Sequence, residues 1–296
     1  MATTATTRPI PAATAGSPKR GARRRWTTYV LPLYAGLVIV YLLIPIAIMI
    51  LYSFNDSRSH LPVVTFNWQG FTTQWYQTWK QVPELTPAFF FSLRLAAAST
   101  AVSAVVGTLL ALALVRYRFR GQGFTEQVMF MNIAAPEIVL GASALGFFLT
   151  LNIPRGFITL FIAHVAFSIA YVTITVRARL AGFDRMIEQA AQDLGATPWV
   201  TFRKITLPLI FPAVMAGALL AFALSIDDFV TSLFVSGTAV TFPLWVYGAV
   251  KVGIPPQVFV MGTFIFTFGA VLALTSLALG TRKQRRAARF AATAAA

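Results

Sequence analysis

The chain has 296 residues, of which 57% are hydrophobic and only 11% charged, and its mean hydropathy is +0.71. A soluble domain carries about 25% charged residues, so this composition excludes an ordinary soluble protein and indicates an integral membrane protein. The chain has no cysteine, which excludes disulfides and thiolate chemistry.

Six apolar stretches approach the length that a helix needs, about 20 residues, to cross roughly 30 Å of hydrocarbon. The stretches are continuous rather than alternating with period two, which favours helices over barrel strands. We therefore predict an all-α membrane domain over residues 28–280. The predicted spans are 28–53, 88–115, 127–151, 157–176, 209–235 and 257–280.

The first 27 residues are rich in Ala, Thr and Arg, and we expect them to be a disordered basic tail. The apolar run that follows, Tyr29 to Tyr52, exceeds the roughly 7–15 residues of a signal peptide's core. It is predicted to be an uncleaved first transmembrane helix. In the second span, "AAASTAVSAVVGTLLALAL" offers small residues that let a neighbouring helix approach closely. Residues 281–296 are expected to form a basic C-terminal tail.

The net charge of +15 is distributed unevenly along the chain. If the N-terminus is cytoplasmic, 19 Lys and Arg residues fall in inside segments and 4 outside, with Arg94 within a span. By the positive-inside rule this bias places both termini in the cytoplasm. The basic excess is therefore a topology signal with anionic lipid headgroups as partners, and nucleic acid is not an expected partner.

Two segments are predicted to lie outside. Residues 236–256 are too short for two crossings and fit a half-inserted helix bounded by Pro243 and Pro255. Residues 54–87 carry aromatic side chains that form either an interfacial belt or a docking surface for an external partner. These aromatic residues are Phe66, Trp68, Phe71, Trp75, Tyr76 and Trp79.

The segment between the fourth and fifth spans, residues 177–208, is predicted to be a cytoplasmic helix–turn–helix. Asp184 is a plausible N-cap for a helix over 185–194, and Gly195 supplies the left-handed residue that commonly ends a helix. Thr197 and Pro198 give a second start signal, for a helix that reaches Thr206. A plain solvated hairpin and a protein-docking surface are both compatible with this pattern.

Ionisable residues fall within or near the spans, namely Arg94, Glu137, His164, Asp227 and Asp228. Each costs at least about 2.5–3.5 kcal/mol to insert, so such groups face a cavity or a partner. Neighbouring helical positions point about 100° apart, so one of the paired carboxylates could face a cavity while the other meets His164 or Arg94. Structural pairing of both is the alternative.

Neither a phosphate site nor a metal site is visible in the sequence. No Gly-Lys dipeptide occurs, so a Walker A phosphate loop is absent. The histidines are His60 and His164, and no His/Cys/Glu cluster has metal-ligand spacing. We therefore predict that this chain is not an enzyme and holds no cofactor.

The 177–208 segment resembles the EAA loop of ABC importer permeases, which reads EAA, three residues, Gly, nine residues, Ile-x-Leu-Pro. The chain has "QAA" at 189–191, "QDL", Gly195, nine residues and "ITLP" at 205–208. Gln189 stands at the motif's glutamate, and Glu188 lies one position earlier. The resemblance implies docking on an ATPase through Glu188, Gln189, Ala190, Ala191, Asp193, Gly195, Ile205, Leu207 and Pro208.

Among these permeases the chain is most similar to the second membrane subunit of spermidine/putrescine importers. The matching segments are "PEIVLGASAL" at 136–145, "AHVAF" at 163–167, "LSIDDFVTSLFVSG" at 224–237 and "FPLWVYGAVKVGIPP" at 242–256. Two positions depart from that family's pattern, Ser92 and Phe259, each where an asparagine is usual.

This resemblance implies a six-helix, methionine-importer-like permease in a bacterial inner membrane. Its implied partners are a second permease, an ATPase dimer that binds ATP and Mg²⁺, and an extracytoplasmic binding protein. A polyamine carries ammonium groups that carboxylates attract and that aromatic faces bind by cation–π contacts. The predicted path residues are Asp227, Asp228, Glu137, Phe229, Trp245 and Tyr247.

Three alternatives remain. The same machinery could carry another solute, such as an inorganic anion, iron or an organic acid. A secondary transporter should show internal repeats with discontinuous helices, and no such repeat is visible in the sequence. A structural scaffold would keep its function when Gly195 is replaced by proline, whereas a coupling element would fail.

Overall fold

The computed structural model describes residues 23–56 and 68–294, with side chains placed over 30–56 and 68–275. Within these residues every element is a helix, apart from an isolated bridge between Asn55 and Phe71. The all-α prediction is therefore confirmed. Most of the tail predicted to be disordered, and also His60 and Phe66, lie outside the described residues.

The helices are numbered in the order in which they occur along the chain. In chain order they are α1 (Arg23–Tyr52), α2 (Gln74–Thr78), α3 (Leu85–Arg116), α4 (Gln122–Ala134), α5 (Glu137–Thr150), α6 (Phe157–Ala181), α7 (Met186–Asp193), α8 (Pro198–Thr201), α9 (Leu207–Asp227), α10 (Val230–Val235), α11 (Phe242–Val252) and α12 (Gln257–Ala294). A π-helical turn, Phe202–Thr206, joins α8 to α9. α1 begins within the predicted N-terminal tail, and α12 continues through the predicted C-terminal tail.

Five stretches of helix in the described part of the chain are long and apolar enough to cross a membrane, or six if the bent pair α4–α5 counts as one span. The chain divides into two compact units at Ile48. The first unit contains the α1 residues up to Ile48, and its side chains from Val30 to Ile44 are exposed. The second unit contains all the remaining helices.

Two predicted continuous spans are interrupted. Instead of a kinked helix over 127–151, α4 and α5 meet at an angle of 114°. The residue before a proline is disfavoured in the α-conformation, and Ala135 is extended with ψ 141°. Pro136 is the N-cap residue of α5, and its carbonyl accepts hydrogen bonds from the Val139 and Leu140 amides. The span predicted over 209–235 is broken at Asp228, which is extended with ψ 114°.

Helices α3, α6 and α9 pack together as a three-helix core. Val172 of α6 is fully buried between Gly107 of α3 and Gly217 of α9. A Cβ atom at residue 107 would lie 2.8 Å from Val172 Cβ, and one at residue 217 would lie 3.2 Å from Val172 Cα. The two glycines therefore let three helices meet around one valine, the close packing that small residues permit in lipid.

Helices α5 and α10 pack beside this core. Gly141 of α5 lies against Phe234 and Thr231 of α10. A second apolar cluster joins these helices to α3 and α6 and contains Leu95, Phe148, Leu160, Ala163 and Val235. This packing holds the break between α9 and α10 against the interior of the second unit.

Candidate functional site

The break between α9 and α10 is stabilised by the side chain of Asp228. One carboxylate oxygen accepts a hydrogen bond from the Thr231 amide at 3.3 Å, and the other accepts from the Ser232 amide at 2.8 Å. The Ser232 hydroxyl also donates to Asp228 at 2.8 Å. Because the first N–H groups of a helix lack intrahelical partners, Asp228 supplies the acceptors that let α10 begin inside an apolar stretch.

A buried polar network extends from this carboxylate. His164 of α6 is fully buried, and its Nε2 lies 3.4 Å from Asp228 Oδ2 and 3.3 Å from the Ser232 hydroxyl. Its Nδ1 lies 2.7 Å from the hydroxyl of Ser225, which is 3.2 Å from that of Ser99. The network therefore connects α3, α6, α9 and α10 and satisfies both ring nitrogens of His164.

The two adjacent carboxylates have different surroundings. Asp228, whose side chain is 7% exposed, meets His164, one of the two partners expected from the sequence. The other expected partner, Arg94, is exposed. Asp227 is also exposed and makes no hydrogen bond or ion pair among the described residues. Glu137 is exposed in the first turn of α5, so these acids do not form one cluster.

Two of the three predicted aromatic path residues lie together. The ring centroids of Phe229 and Tyr247 are 4.8 Å apart. The ammonium group of Lys251 lies 4.6 Å from the Tyr247 ring centroid, so this ring already accepts a cation on its face. Trp245 instead packs against the apolar cluster that contains Leu85, Phe89, Val258 and Met261.

The segment rich in aromatic residues is folded back on the end of α1. The Trp75 indole donates to the carbonyl of Asn55 at 2.8 Å, and the Tyr76 hydroxyl lies 2.7 Å from that of Ser53. Phe71 remains 72% exposed. Several of these aromatics therefore have structural contacts within the chain, and neither the belt nor the docking prediction is decided by them.

The two departures from the family pattern have structural contacts. Ser92 is buried in α3, and its hydroxyl accepts a hydrogen bond from the Phe242 amide at 2.8 Å. That contact holds the start of α11 against α3. Phe259 lies near Tyr52, with 6.3 Å between the ring centroids.

The first helix of the 177–208 loop has both predicted ends. The Asp184 carboxylate accepts from the Met186 amide at 2.9 Å where α7 begins. Gly195 has φ +89°, the Ala196 amide bonds the Ala191 carbonyl at 3.0 Å, and the Gly195 amide bonds the Gln192 carbonyl at 2.8 Å. These two bonds form a Schellman motif, whose left-handed position favours glycine.

The second helix of the loop begins as predicted but changes character. The Thr197 hydroxyl accepts from the Val200 amide at 3.4 Å, and Pro198 occupies the first turn. After Thr201 the chain forms the π-helical turn and then continues as α9. A single regular helix to Thr206 was therefore the wrong expectation.

Helix α7 turns its apolar side outward. Met186 is 67% exposed, Leu194 is 90% exposed, and Trp199 of α8 is 66% exposed. An exposed apolar patch of this kind is typical of a protein interaction site. Several predicted coupling residues are also exposed, namely Gln189, Ala190, Asp193, Gly195 and Pro208, while Ala191, Ile205 and Leu207 are partly buried.

Glu188 faces inward, unlike Gln189. Its carboxylate accepts hydrogen bonds from the Arg116 guanidinium at the end of α3 and from the Thr206 hydroxyl in the π-helical turn. The Glu188 side chain is only 12% exposed. Glu188 is therefore bonded within the chain, whereas Gln189, at the position of the motif's glutamate, is exposed.

Comparison with known proteins identifies the family. Residues 103–286 match the family described as the binding-protein-dependent transport system inner membrane component. The chain belongs to this family. It is a multi-pass membrane permease subunit of the ABC importer type, as the resemblance of its loop and spans implied.

Its curated relatives are similar over most of their length. The spermidine/putrescine transport system permease protein PotC of Escherichia coli K12 is 41% identical over 249 residues, which cover 84% of this chain and 92% of PotC. PotC of Haemophilus influenzae is 40% identical over 247 residues, covering 83% and 94%. The putrescine transport system permease protein PotI of Escherichia coli K12 is 37% identical over 254 residues, covering 83% and 89%.

Solved structures share the fold. A bacterial ABC transporter that imports the acidic polysaccharide alginate aligns with a TM-score of 0.59 at 17% identity, covering 90% of this chain and 99% of that chain. An amino acid ABC transporter aligns with a TM-score of 0.53 at 16% identity, covering 70% and 98%. At these identities the likeness establishes the architecture and carries no information about the solute.

Proposed function

We propose that this permease subunit imports polyamines of the spermidine and putrescine type through the inner membrane of a bacterium. The observation that carries this proposal is the 37–41% identity, over more than four fifths of the chain, to permeases named for those solutes. The exposed carboxylate of Asp227 beside a broken helix supports a cationic cargo, because an unpaired acid in or near a membrane is costly unless it meets a cation.

In this proposal the chain forms half of the translocation path and a second permease forms the other half. The proposed orientation, with both termini cytoplasmic, rests on the 19 to 4 distribution of basic residues. An extracytoplasmic binding protein delivers the solute, and an ATPase dimer on the cytoplasmic side binds ATP and Mg²⁺. This chain hydrolyses nothing itself.

Coupling to the ATPase uses the outward apolar side of α7. Met186, Leu194 and Trp199 supply apolar contact area, and Gln189 supplies a polar contact among them. Closure of the ATPase dimer on ATP moves the 177–208 loop, and the permease pair opens outward. The ligand-driven exchange between two states is the physical basis of transport, and hydrolysis resets it.

The polyamine passes the break between α9 and α10. Asp227 supplies the charge that attracts an ammonium group, and Phe229 with Tyr247 supplies aromatic faces nearby. Asp228 is committed to capping α10 and to His164, so its role is to hold the break open rather than to contact the cargo. Glu137, exposed at the other break, is a second candidate for charge attraction.

The proposal is tested by measuring uptake of labelled spermidine and putrescine by Asp227→Asn and Asp228→Asn. We expect Asp227→Asn to lower uptake about tenfold, the change that corresponds to roughly 1.4 kcal/mol of lost attraction, with the complex assembled normally. Asp228→Asn should lower the thermal stability of the complex instead. Normal uptake by Asp227→Asn would remove this carboxylate from the path.

The solute and the energy source are tested separately. Unlabelled polyamines should compete with labelled spermidine, while inorganic anions, iron and organic acids should not; competition by one of those would reassign the solute. Two broken spans also fit a secondary transporter, so the proton gradient should be collapsed while ATP is retained. Uptake that survives supports ATP-driven import, which family membership favours.

A further inference from the structure

The carboxylate of Glu188 is shared between two helices of the membrane domain. It accepts from Arg116 at the end of α3 and from Thr206 in the π-helical turn that leads into α9. Thr206 is fully buried, and the side chains of Arg116 and Glu188 are 24% and 12% exposed. A charge-assisted pair so largely removed from water is held more strongly than an ion pair at the surface.

A second hydrogen bond joins the 177–208 loop to the C-terminal end of α3. The Arg185 guanidinium donates to the carbonyl of Val115 at 2.8 Å. The carbonyls in the last turn of a helix have no intrahelical partner, so Arg185 supplies one of them with a donor. Residues at the start of α7 thus hold α3 at two consecutive positions, Val115 and Arg116.

The π-helical turn sets the direction of Thr206, the second residue that donates to Glu188. A π turn contains one more residue per hydrogen-bonded ring than an α-helix, and one residue corresponds to about 100° of rotation. The turn over Phe202–Thr206 therefore changes the direction of Thr206 relative to α8. In this arrangement the Thr206 hydroxyl points at Glu188, and α9 is bonded to α7 through it.

We propose that Arg116, Glu188 and Thr206 form a latch that makes the 177–208 loop and the three-helix core move as one body. The proposal rests on the proposed function of the loop as the ATPase contact. Because α3, α6 and α9 are already packed around Val172, a loop bonded to both α3 and α9 transmits its displacement to all three helices. The three latch residues are positioning residues, since none of them needs to contact ATPase or cargo.

Breaking the latch should uncouple ATP hydrolysis from transport. In vesicles containing the full complex with its binding protein, we expect Glu188→Gln to lower the polyamine imported per ATP hydrolysed about tenfold, the scale of one charge-assisted hydrogen bond. Thr206→Val should act in the same direction and Thr206→Ser should not, because serine keeps the hydroxyl. The exchange of charges in Glu188→Arg with Arg116→Glu should restore part of the ratio.

A matched control exists at the same end of the helices. Glu126 of α4 and Arg177 of α6 form an ion pair of 2.9 Å whose side chains are 37% and 40% exposed and which does not involve α7. Glu126→Gln should leave the ratio of import to hydrolysis unchanged. An equal loss in this variant would show that any charge removed on this side has the effect, and it would overturn the latch.

The movement itself can be measured because the chain has no cysteine. Cysteines introduced at Gln192 of α7 and Tyr117 beyond α3, both exposed, can carry spin labels in the full complex. The latch predicts the same distance between the labels in the nucleotide-free and ATP-bound complexes, and a broader or shifted distance in Glu188→Gln. A distance that changes with nucleotide in the otherwise native chain would overturn the proposal.

The test separates the latch from the function on which it rests. If the native complex fails to import polyamine but its label distance is constant, the proposed solute is wrong while the latch stands. If Glu188→Gln retains the native ratio of import to hydrolysis, the latch is wrong while the function stands. Loss of ATPase binding in Glu188→Gln would also refute the latch, since it would make Glu188 part of the docking surface.

Discussion

Replacing Gly107 by alanine should separate the helices of the three-helix core. The new Cβ atom would lie 2.8 Å from Val172 Cβ, 2.9 Å from its Cγ1 and 3.1 Å from the carbonyl oxygen of Ile169. Carbon atoms pack at about 3.5–4.0 Å, so α3 and α6 must move apart by about 1 Å. Overpacking of this kind costs roughly 1–3 kcal/mol, and the upper part of that range is expected because a Cβ atom cannot rotate away.

The separation would also lengthen a bond between the helices. The Thr173 hydroxyl, which is buried, donates to the Gly107 carbonyl at 3.2 Å. Thermal unfolding of the purified complex in detergent measures the combined effect, and we expect a lower midpoint for Gly107→Ala. Gly146→Ala is the matched control, because no atom lies within 4 Å of a Cβ at that helical position; it should be neutral or stabilising by up to about 1 kcal/mol.

The identity of the clashing atom gives a sharper test. Val172→Ala removes Cγ1 but keeps the Cβ at 2.8 Å, so it should rescue Gly107→Ala only in part. Val172→Gly removes both contacts and should relieve the clash, although it loses packing of its own. Full rescue by Val172→Ala, or an unchanged midpoint for Gly107→Ala alone, would refute the close packing described for this site.

Substitutions at two further positions test the turn at Gly195 and the polar network around His164. Gly195→Ala forces a residue with a side chain into φ +89°, which should destabilise the folded loop by about 1 kcal/mol. We expect it to lower both uptake and the amount of ATPase that copurifies. Gly195→Asn should have a smaller effect, because asparagine tolerates this backbone conformation. His164→Leu removes one buried partner from Asp228 and one from Ser225, and it should lower the unfolding midpoint by an amount corresponding to roughly 2–4 kcal/mol. His164→Gln, which keeps polar atoms, should cost less, and equal midpoints for the two variants would contradict the network.

The sequence predicted those helix ends that depend only on residues within one turn of the end. Asp184, Gly195, Thr197 and Pro198 act on residues within a turn of themselves, and the structure has the predicted helix ends at each of them. The apolar runs likewise identified which segments are helical, since an isolated segment in lipid must satisfy its own backbone. Neither kind of signal depends on the rest of the fold.

The breaks were not predicted because their causes lie partly in other helices. A proline within a membrane helix is usually tolerated as a kink, yet Pro136 produces a turn of 114°. The run over 209–235 reads as one span, but Asp228 ends the helix. The sequence does contain a signal for this break, namely an aspartate with Ser225 three positions before it and Ser232 four positions after it. This signal indicates a break only once His164 of α6 is known to bond the same residues.

The inward direction of the Glu188 side chain could not be predicted from the residues next to it in the sequence. Its partner Arg116 lies 72 positions away and was read only as a topology charge. The Ser92 contact with Phe242 spans 150 positions. Such contacts depend on which helix ends meet, and only the packed fold determines that.

The two candidate sites use the same physical arrangement of neighbouring polar residues. In each pair one member is bonded inside the chain, Asp228 to His164 and Glu188 to Arg116, while the adjacent member, Asp227 or Gln189, is exposed. Because adjacent positions in and around a helix point in different directions, one residue can fix the backbone while its neighbour is presented to a partner. Because the bonded residue already orders the backbone, its exposed neighbour loses less conformational freedom when it binds a partner. In the proposed mechanism, residues that are bonded inside the chain would therefore influence both cargo attraction and coupling.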